Sequence, residues 1–320
     1  MTKYGFVASG GGYRSFYTAG VLVWLRKRGI PIVHLTSTSS GNNIVLDCLI
    51  WDSRKDELPP TLTKTFRLSF RDIFDVFGNF LGLKPSLLPN GSRLFTVNKD
   101  RCRKSLLLDD RERRALLEHQ LKTLKWDIVA TNLTKKRAEY FSVNTILSSM
   151  NDAALDRFMD VFLAGITTIP YFEAIKMDGD YYIEGGYTEN IPLRTLFEDP
   201  EVEEIIAVDF TDYDYHVDLE EFYSKSSFML PLTGINMNIL VNDIQTCLPS
   251  IAILRHAVFI NQFLEAVGKT SIDIEGKTYY RKPLHILRPR NLKAMTIALG
   301  DSRSQKTCFE LGQREIQALI

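Results

Sequence analysis

Along the first fifty residues, compact apolar runs alternate with apolar positions at helical spacing. "YGFVAS" is a short apolar run closed by Gly10-Gly11-Gly12, the pattern of a buried strand entering a tight turn. "SFYTAGVLVWLRKRG" follows with helical periodicity, Lys and Arg in its last turn, and Gly29 as a stop. "IPIVHLTS" predicts a second strand and "NNIVLDCLIW" a second helix. Strand, helix, strand, helix is the order of a parallel sheet covered by helices, which places the chain in the α/β class.

The alternation breaks between Leu58 and Leu94, where Pro59-Pro60, Pro85 and Pro89 bracket the phenylalanine-dense "FRLSFRDIFDVFGNFLGL". "WDIVATNL" and "AEYFSV" then predict two strands joined by the basic turn "TKKR". "DGDYYIEGGYTENIPL" reads as a hairpin strand followed by a Gly-rich turn, and "VEEIIAVDF" as one more buried strand. Beyond Asp212 the periodicity is mostly helical, through "SIAILRHAVFINQFLEAV". There is no internal repeat and no low-complexity linker. One domain with a helical C-terminal portion is expected.

Composition narrows the function classes. The 320 residues carry 39 basic and 39 acidic side chains, so no whole-chain field draws the protein to nucleic acid. Cys48, Cys102, Cys247 and Cys308 are scattered and form no C-x-x-C pair, which predicts free thiols in a reducing compartment. The start, "MTKYGFVASGGG", reads directly into a strand rather than into a secretory leader. The apolar runs are shorter than the roughly 18 residues a membrane span needs. No His/Cys/Asp cluster has metal-ligand spacing, and no cofactor is implied.

The chemistry concentrates in "LTSTSSGNN", Leu35 to Asn43, a serine-rich turn between a strand and a helix. A serine hydroxyl becomes a useful nucleophile only when a base takes its proton. The elbow frame G-x-S-x-G asks for small residues two before and two after that serine. Ser39 fits, with Ser37 before it and Gly41 after it. Ser40 would place Asn42 in a small site, and Ser37 would be flanked by Leu35. The rival reading of a lone serine here is a helix N-cap.

"SGGGYRS" weighs against simple capping. Three glycines after the first strand leave amides unobstructed at a helix N-terminus, a natural anion cradle. A nucleotide-phosphate loop is the alternative, but Ser15 stands where G-x-G-x-x-G needs its third glycine, and no acidic residue ends the second strand. An oxyanion hole fits better, since acyl transfer needs preorganised donors for a developing alkoxide. Arg14 adds positive charge beside it.

These stretches, with "WDIVATNLTKKRAEYFS" and "AGITTIPYFEAIKMDGDYYIEGGYTENIPL", stand in the order and spacing of the patatin-like phospholipases, which the chain resembles over approximately residues 4–210. The resemblance implies a three-layer α/β/α patatin-like fold with a central, mostly parallel sheet. It implies a phospholipase domain over residues 4–210 and a helical C-terminal extension over residues 211–320 packed on the same domain. It also implies lipid acyl hydrolysis by a Ser-carboxylate dyad without a catalytic histidine. Ser39 is then the nucleophile, with Gly11, Gly12, Ser40 and Arg14 at the oxyanion hole. Phospholipid or lysophospholipid is the implied substrate, met at a transient membrane surface by a cytoplasmic protein, with export as an effector still open.

Three positions depart from the family pattern. Ser37 replaces the first elbow glycine and brings a Cβ to it. Ser15 replaces the glycine after the arginine. Glu184, in "I-E-G-G", replaces the dyad aspartate. A glutamate accepts a proton as an aspartate does, but its extra methylene shifts the oxygen by about 1 Å, a displacement that costs roughly 100-fold unless the turn adjusts. Asp178 is the substitute candidate, yet Asp178-Gly179 reads as the hairpin turn into "DYYI". Glu184 is the general base on this reading. If it fails, the chain is an impaired patatin-like protein that binds lipid or regulates; an acyltransferase is a third possibility.

The five histidines are rival bases, since triad partners need not be neighbours in sequence. His34 lies on the second strand beneath the elbow, and His119, His216, His256 and His285 belong to no motif. In the phenylalanine-rich stretch, Phe66, Phe70, Ile73, Phe74, Phe77, Phe80 and Leu81 recur at nearly helical spacing. That pattern serves a membrane-facing lid or a core helix. "FMLPLTGINMNIL", Phe228 to Leu240, is a second and weaker lipid-facing candidate.

Overall fold

The computed structural model describes residues 1–60, 62, 84–85, 95–96, 98–168, 172–211, 230–289 and 302–320. The phenylalanine-rich stretch from Phe66 to Leu81 lies outside the described residues, as do His216 and Phe228. The first four elements are those the apolar pattern predicts: β1 (Tyr4–Ala8), α1 (Ser15–Lys27), β2 (Ile32–Ser37) and α2 (Ser40–Leu49). Further along come α3 (Arg111–Leu121), β3 (Lys125–Asn132), β4 (Arg137–Ser142), α4 (Asp152–Ala164), β5 (Ile175–Met177) and β6 (Asp180–Glu184). The chain continues through α5 (Arg194–Glu198), β7 (Glu204–Val208), the long α6 (Leu230–Ala266), the hairpin β8 (Ser271–Ile274) and β9 (Lys277–Tyr280), β10 (Leu284–Leu287) and α7 (Ser302–Leu319).

The central sheet runs β10-β7-β1-β2-β3-β6-β5, with β4 also paired to β3. From β10 to β3 the pairing is parallel; β4, β6 and β5 join antiparallel. Alternation along the strands sends side chains into two layers. Phe6, Ala8, Ile206 and Val208 face one core with Tyr17, Leu46, Trp126 and Phe158, while Val7, Ile205 and Ala207 face another with Leu196, Phe197, Leu254 and Ala257. Helices thus cover both faces of a mostly parallel sheet, in the three-layer arrangement expected.

The C-terminal portion supplies more than helices. β10 forms the sheet edge beside β7 in parallel register, Leu284 opposite Ile205. α7 lies directly on α1: a Cβ on Gly20 would stand 2.0 Å from the Phe309 carbonyl oxygen, and one on Gly312 would stand 2.2 Å from that of Tyr17. Only glycines permit backbones to cross this closely. Tyr17 locks the crossing by donating a hydrogen bond to Glu315 at 2.6 Å. Cys48, Cys102 and Cys308 are buried and free.

Candidate active site

β2 delivers its last residues into the layer between sheet and α2, and the chain must reverse within two residues. Ser39 makes the reversal with φ +52° and ψ −136°, a region that residues with a Cβ rarely occupy. Its amide donates to the Gly165 carbonyl at 2.9 Å, and its carbonyl accepts from the Asn42 amide at 3.0 Å. The hydroxyl makes no capping bond to α2, so the N-cap reading does not hold. Gly41 is obligatory in this turn, because a Cβ there would fall 2.0 Å from the Ala8 carbonyl oxygen. Ser37 is not strained: it lies within β2, and its buried Oγ accepts a hydrogen bond from the Trp126 indole at 2.7 Å. The cost expected of a Cβ at that position is therefore absent.

Glu184 ends β6 and is fixed from several sides. Its amide donates to the Thr167 carbonyl at 2.8 Å, and its carbonyl accepts from the Thr131 hydroxyl at 2.8 Å. Its carboxylate accepts a hydrogen bond from the Thr168 hydroxyl, and the Ser39 hydroxyl lies close enough to favour its ionised form. Burial pushes the Glu184 carboxyl above the usual carboxylate range, and these two hydroxyls pull against that shift without cancelling it. The following Gly185 is packed so tightly that a Cβ would stand 2.3 Å from the Val129 carbonyl oxygen and 2.4 Å from Thr38 Oγ1.

The glycine loop closes over the elbow. A Cβ on Gly10 would lie 2.7 Å from Ser39 Cβ. Asn190 grips the Gly10 backbone twice, accepting from its amide at 3.0 Å and donating to its carbonyl at 3.2 Å. The Gly11 amide donates to Ser40 Oγ at 3.2 Å, and that hydroxyl also shares a 2.5 Å hydrogen bond with Ser15 Oγ. Gly12 adopts φ +57° and opens a single 3₁₀ turn that leads into α1. Neither the Gly12 amide nor the Ser40 amide donates a hydrogen bond to any of the described residues. Arg14 turns back on the loop, with Nε donating to the Gly11 carbonyl at 3.1 Å and Nη1 to the Phe210 carbonyl at 3.3 Å.

A hydroxyl at a strained turn, a half-buried carboxylate beside it and a tight glycine loop stand together, in a three-layer α/β/α frame. The family model for patatin-like phospholipases matches residues 6–197, more than half of the chain and including all of these groups. The chain belongs to the patatin-like phospholipase family. Membership makes it one of a family of lipid acyl hydrolases. No curated protein sequence matches it. Among solved structures it is similar to VipD from Legionella pneumophila, at 14% identity and a TM-score of 0.42. That match takes in 99% of this chain and 66% of the other, so the chain spans just under two thirds of VipD.

Within this patatin-like phospholipase the rival bases stand elsewhere. Asp178 and Gly179 form the two-residue turn between β5 and β6, both with positive φ, and Asp178 pairs with Arg157. Asp178 thus sits at the far end of β6 from Glu184, roughly 17 Å away by strand rise. His34 is held at the start of β2 between Asp127 and Asp199. His285 pairs with Glu204 at 2.7 Å, and His119 and His256 lie on α3 and α6. Among the described residues no helix is long and apolar enough to cross a membrane.

Two contributors escaped sequence reasoning. Asn190 was visible only as part of "N-I-P-L", and its pairing with Gly10 joins residues 180 positions apart. Thr168 had a signal in the polar pair Thr167-Thr168 interrupting an apolar stretch, but nothing local ties it to Glu184.

Proposed function

We propose that this chain is a serine-dependent lipid acyl hydrolase of the phospholipase A or lysophospholipase type, acting on phospholipid or lysophospholipid at a membrane surface it meets transiently from the cytoplasm. One observation carries the reading: the Ser39 hydroxyl, on a backbone with φ +52°, lies close enough to the Glu184 carboxylate to favour its ionised form. Glu184 takes the proton as Ser39 Oγ attacks the ester carbonyl. The Gly12 and Ser40 amides receive the oxyanion, and the Gly11 amide joins them when Ser40 Oγ turns aside. Arg14 holds the loop by its carbonyls rather than by touching the oxyanion. Glu184 returns the proton to the departing alcohol, then takes one from the water that attacks the acyl-enzyme, and free fatty acid leaves.

Glu184 must be ionised to act, so turnover rises with pH through a value above the ordinary carboxylate range. An alkyl fluorophosphonate with peptide mapping tests the assignment. Ser39 should be labelled, and labelling should be lost in Glu184→Gln with circular dichroism unchanged. Labelling of Ser37 or Ser40 instead would refute the register. No labelling with lipid binding retained would leave a lipid-binding protein without chemistry.

A further inference from the structure

The tail of α4 touches both members of the proposed dyad. The tail is itself rigid, since Gly165, Ile166 and Thr167 all donate backbone hydrogen bonds into the last turn of α4, at 2.9, 3.1 and 3.0 Å. α4 is in turn anchored in the core by Leu155, Phe158 and Phe162. From this base the Gly165 carbonyl accepts the Ser39 amide at 2.9 Å, the Thr167 carbonyl accepts the Glu184 amide at 2.8 Å, and the Thr168 hydroxyl donates to Glu184 Oε2. Four consecutive residues therefore set the spacing between nucleophile and base.

We propose that Thr168 is a positioning residue of the reaction, acting through Glu184 and supplying the constraint that the long, flexible glutamate side chain needs. The proposal rests on the Ser39–Glu184 reading above. A glutamate has one more rotatable bond than an aspartate, and a misplacement of about 1 Å at a reacting group can cost 100-fold. The Thr168 hydroxyl occupies Oε2 and removes that freedom, leaving the carboxylate aimed at Ser39. Among the described residues no charged group contributes at this carboxylate, and Thr168 is a side-chain donor to it. Donation to the ionised form opposes the effect of burial. The Thr168 backbone carbonyl accepts the Phe172 amide at 3.0 Å, which leaves the side chain free for Glu184.

The test compares Thr168→Val, which keeps the shape and removes the donor, with Thr168→Ser, which keeps the donor. Thr168→Val should lower kcat by about tenfold or more with KM within about twofold, and should move the acidic limb of the kcat profile to higher pH. Thr168→Ser should restore most of kcat and the native limb. If valine prevents folding, Thr168→Ala, which has no donor, replaces it in the comparison. Unchanged kcat and an unchanged limb in the donor-free variant would overturn the proposal. Ser39→Ala and Glu184→Gln, assayed alongside, separate the two ideas. If those remain active, the dyad reading falls and Thr168 falls with it; if they are dead and Thr168→Val is native-like, Thr168 alone is refuted.

Discussion

At one end of β2 stands Ser39 beside the Glu184 carboxylate; at the other, five positions earlier and roughly 16 Å away by strand rise, stands His34. Both ends bury titratable groups, but only one balances them. His34 Nδ1 donates to Asp199 at 2.8 Å and Nε2 to Asp127 at 3.0 Å, so the ring carries both protons. Burial pulls the His34 imidazole down, yet the two carboxylates outweigh it and hold it above its ordinary value. Asp199 is also met by Lys125 at 2.9 Å, and despite its burial these partners hold its carboxyl far below the usual range. Lys282 closes the cluster, donating to the Leu196 carbonyl at 2.6 Å and to the Asp199 carbonyl, with burial pulling its ammonium down to about 8.

Glu184 has no such counter-charge. Two neutral hydroxyls are its partners, and its carboxyl goes up where that of Asp199 goes down. A base that must accept a proton is served by the first environment and disabled by the second. His34 is held between two carboxylates at the far end of β2, and on the proposed reading Glu184 is the base.

Substitutions at the two ends should separate chemistry from stability. Ser39→Ala should lower fatty-acid release by at least ~10³-fold while leaving thermal unfolding close to native, as read by lipid hydrolysis and circular dichroism. Asp199→Ala should do the reverse: it leaves His34 with Asp127 alone and Lys125 with Glu201 alone, and should cost about 1–3 kcal/mol in urea unfolding. Turnover per folded molecule should stay within a few fold. An equal loss of turnover there would erase the distinction between the two ends.

Glu184→Gln lies between these extremes. It should lower turnover about 100-fold or more, with no loss of stability. Because the folded-state pKa of Glu184 is raised, its contribution to stability is present below the ordinary carboxylate value and is lost as pH rises through the raised one. The glutamine variant escapes that loss, so its stability relative to the native chain should increase across that window. For His34, also raised, the stabilisation holds below the ordinary histidine value and disappears as pH climbs through the elevated one. The gap between native protein and His34→Gln in urea titrations should therefore narrow as pH climbs above the ordinary histidine value. The smallest effect is expected of Ser15→Gly, which deletes the partner of Ser40 Oγ and should change kcat by only a few fold. A larger fall would mean that the Ser15–Ser40 pair holds the oxyanion loop in place.

Much of the local geometry at the Ser39 end was legible because its constraints are local. The elbow register follows from Gly41, whose missing Cβ is demanded by Ala8; the Asp178-Gly179 turn follows from a two-residue hairpin; and Glu184 follows from its place before Gly185-Gly186. The first strands and helices follow from period alone. What stayed hidden is joined over long separations. Asp199 reaches His34 across 165 positions, and Asn190 reaches Gly10 across 180. β10 is four residues long, with His285 in its middle, and only its pairing with β7 makes it a strand. The Gly11 amide was expected to face the oxyanion; here it donates to Ser40 Oγ, which Ser15 Oγ also holds.

The crossing of α1 and α7 has a kinetic consequence. α1 carries the glycine loop at its N-terminus, and its small-residue face is closed by a helix whose Glu315 meets Tyr17 from 298 positions away. Contacts of such separation form late, since the intervening chain must be ordered before they reward it. Synthesis delivers the elbow and the loop before this brace. A newly made chain therefore passes through a period in which Ser39 exists but the loop above it is unbraced, and on the proposed reading its reactivity waits for α7 to dock. In refolding from urea, reactivity of Ser39 toward a fluorophosphonate should appear with the slowest phase; labelling in an earlier phase would contradict this order.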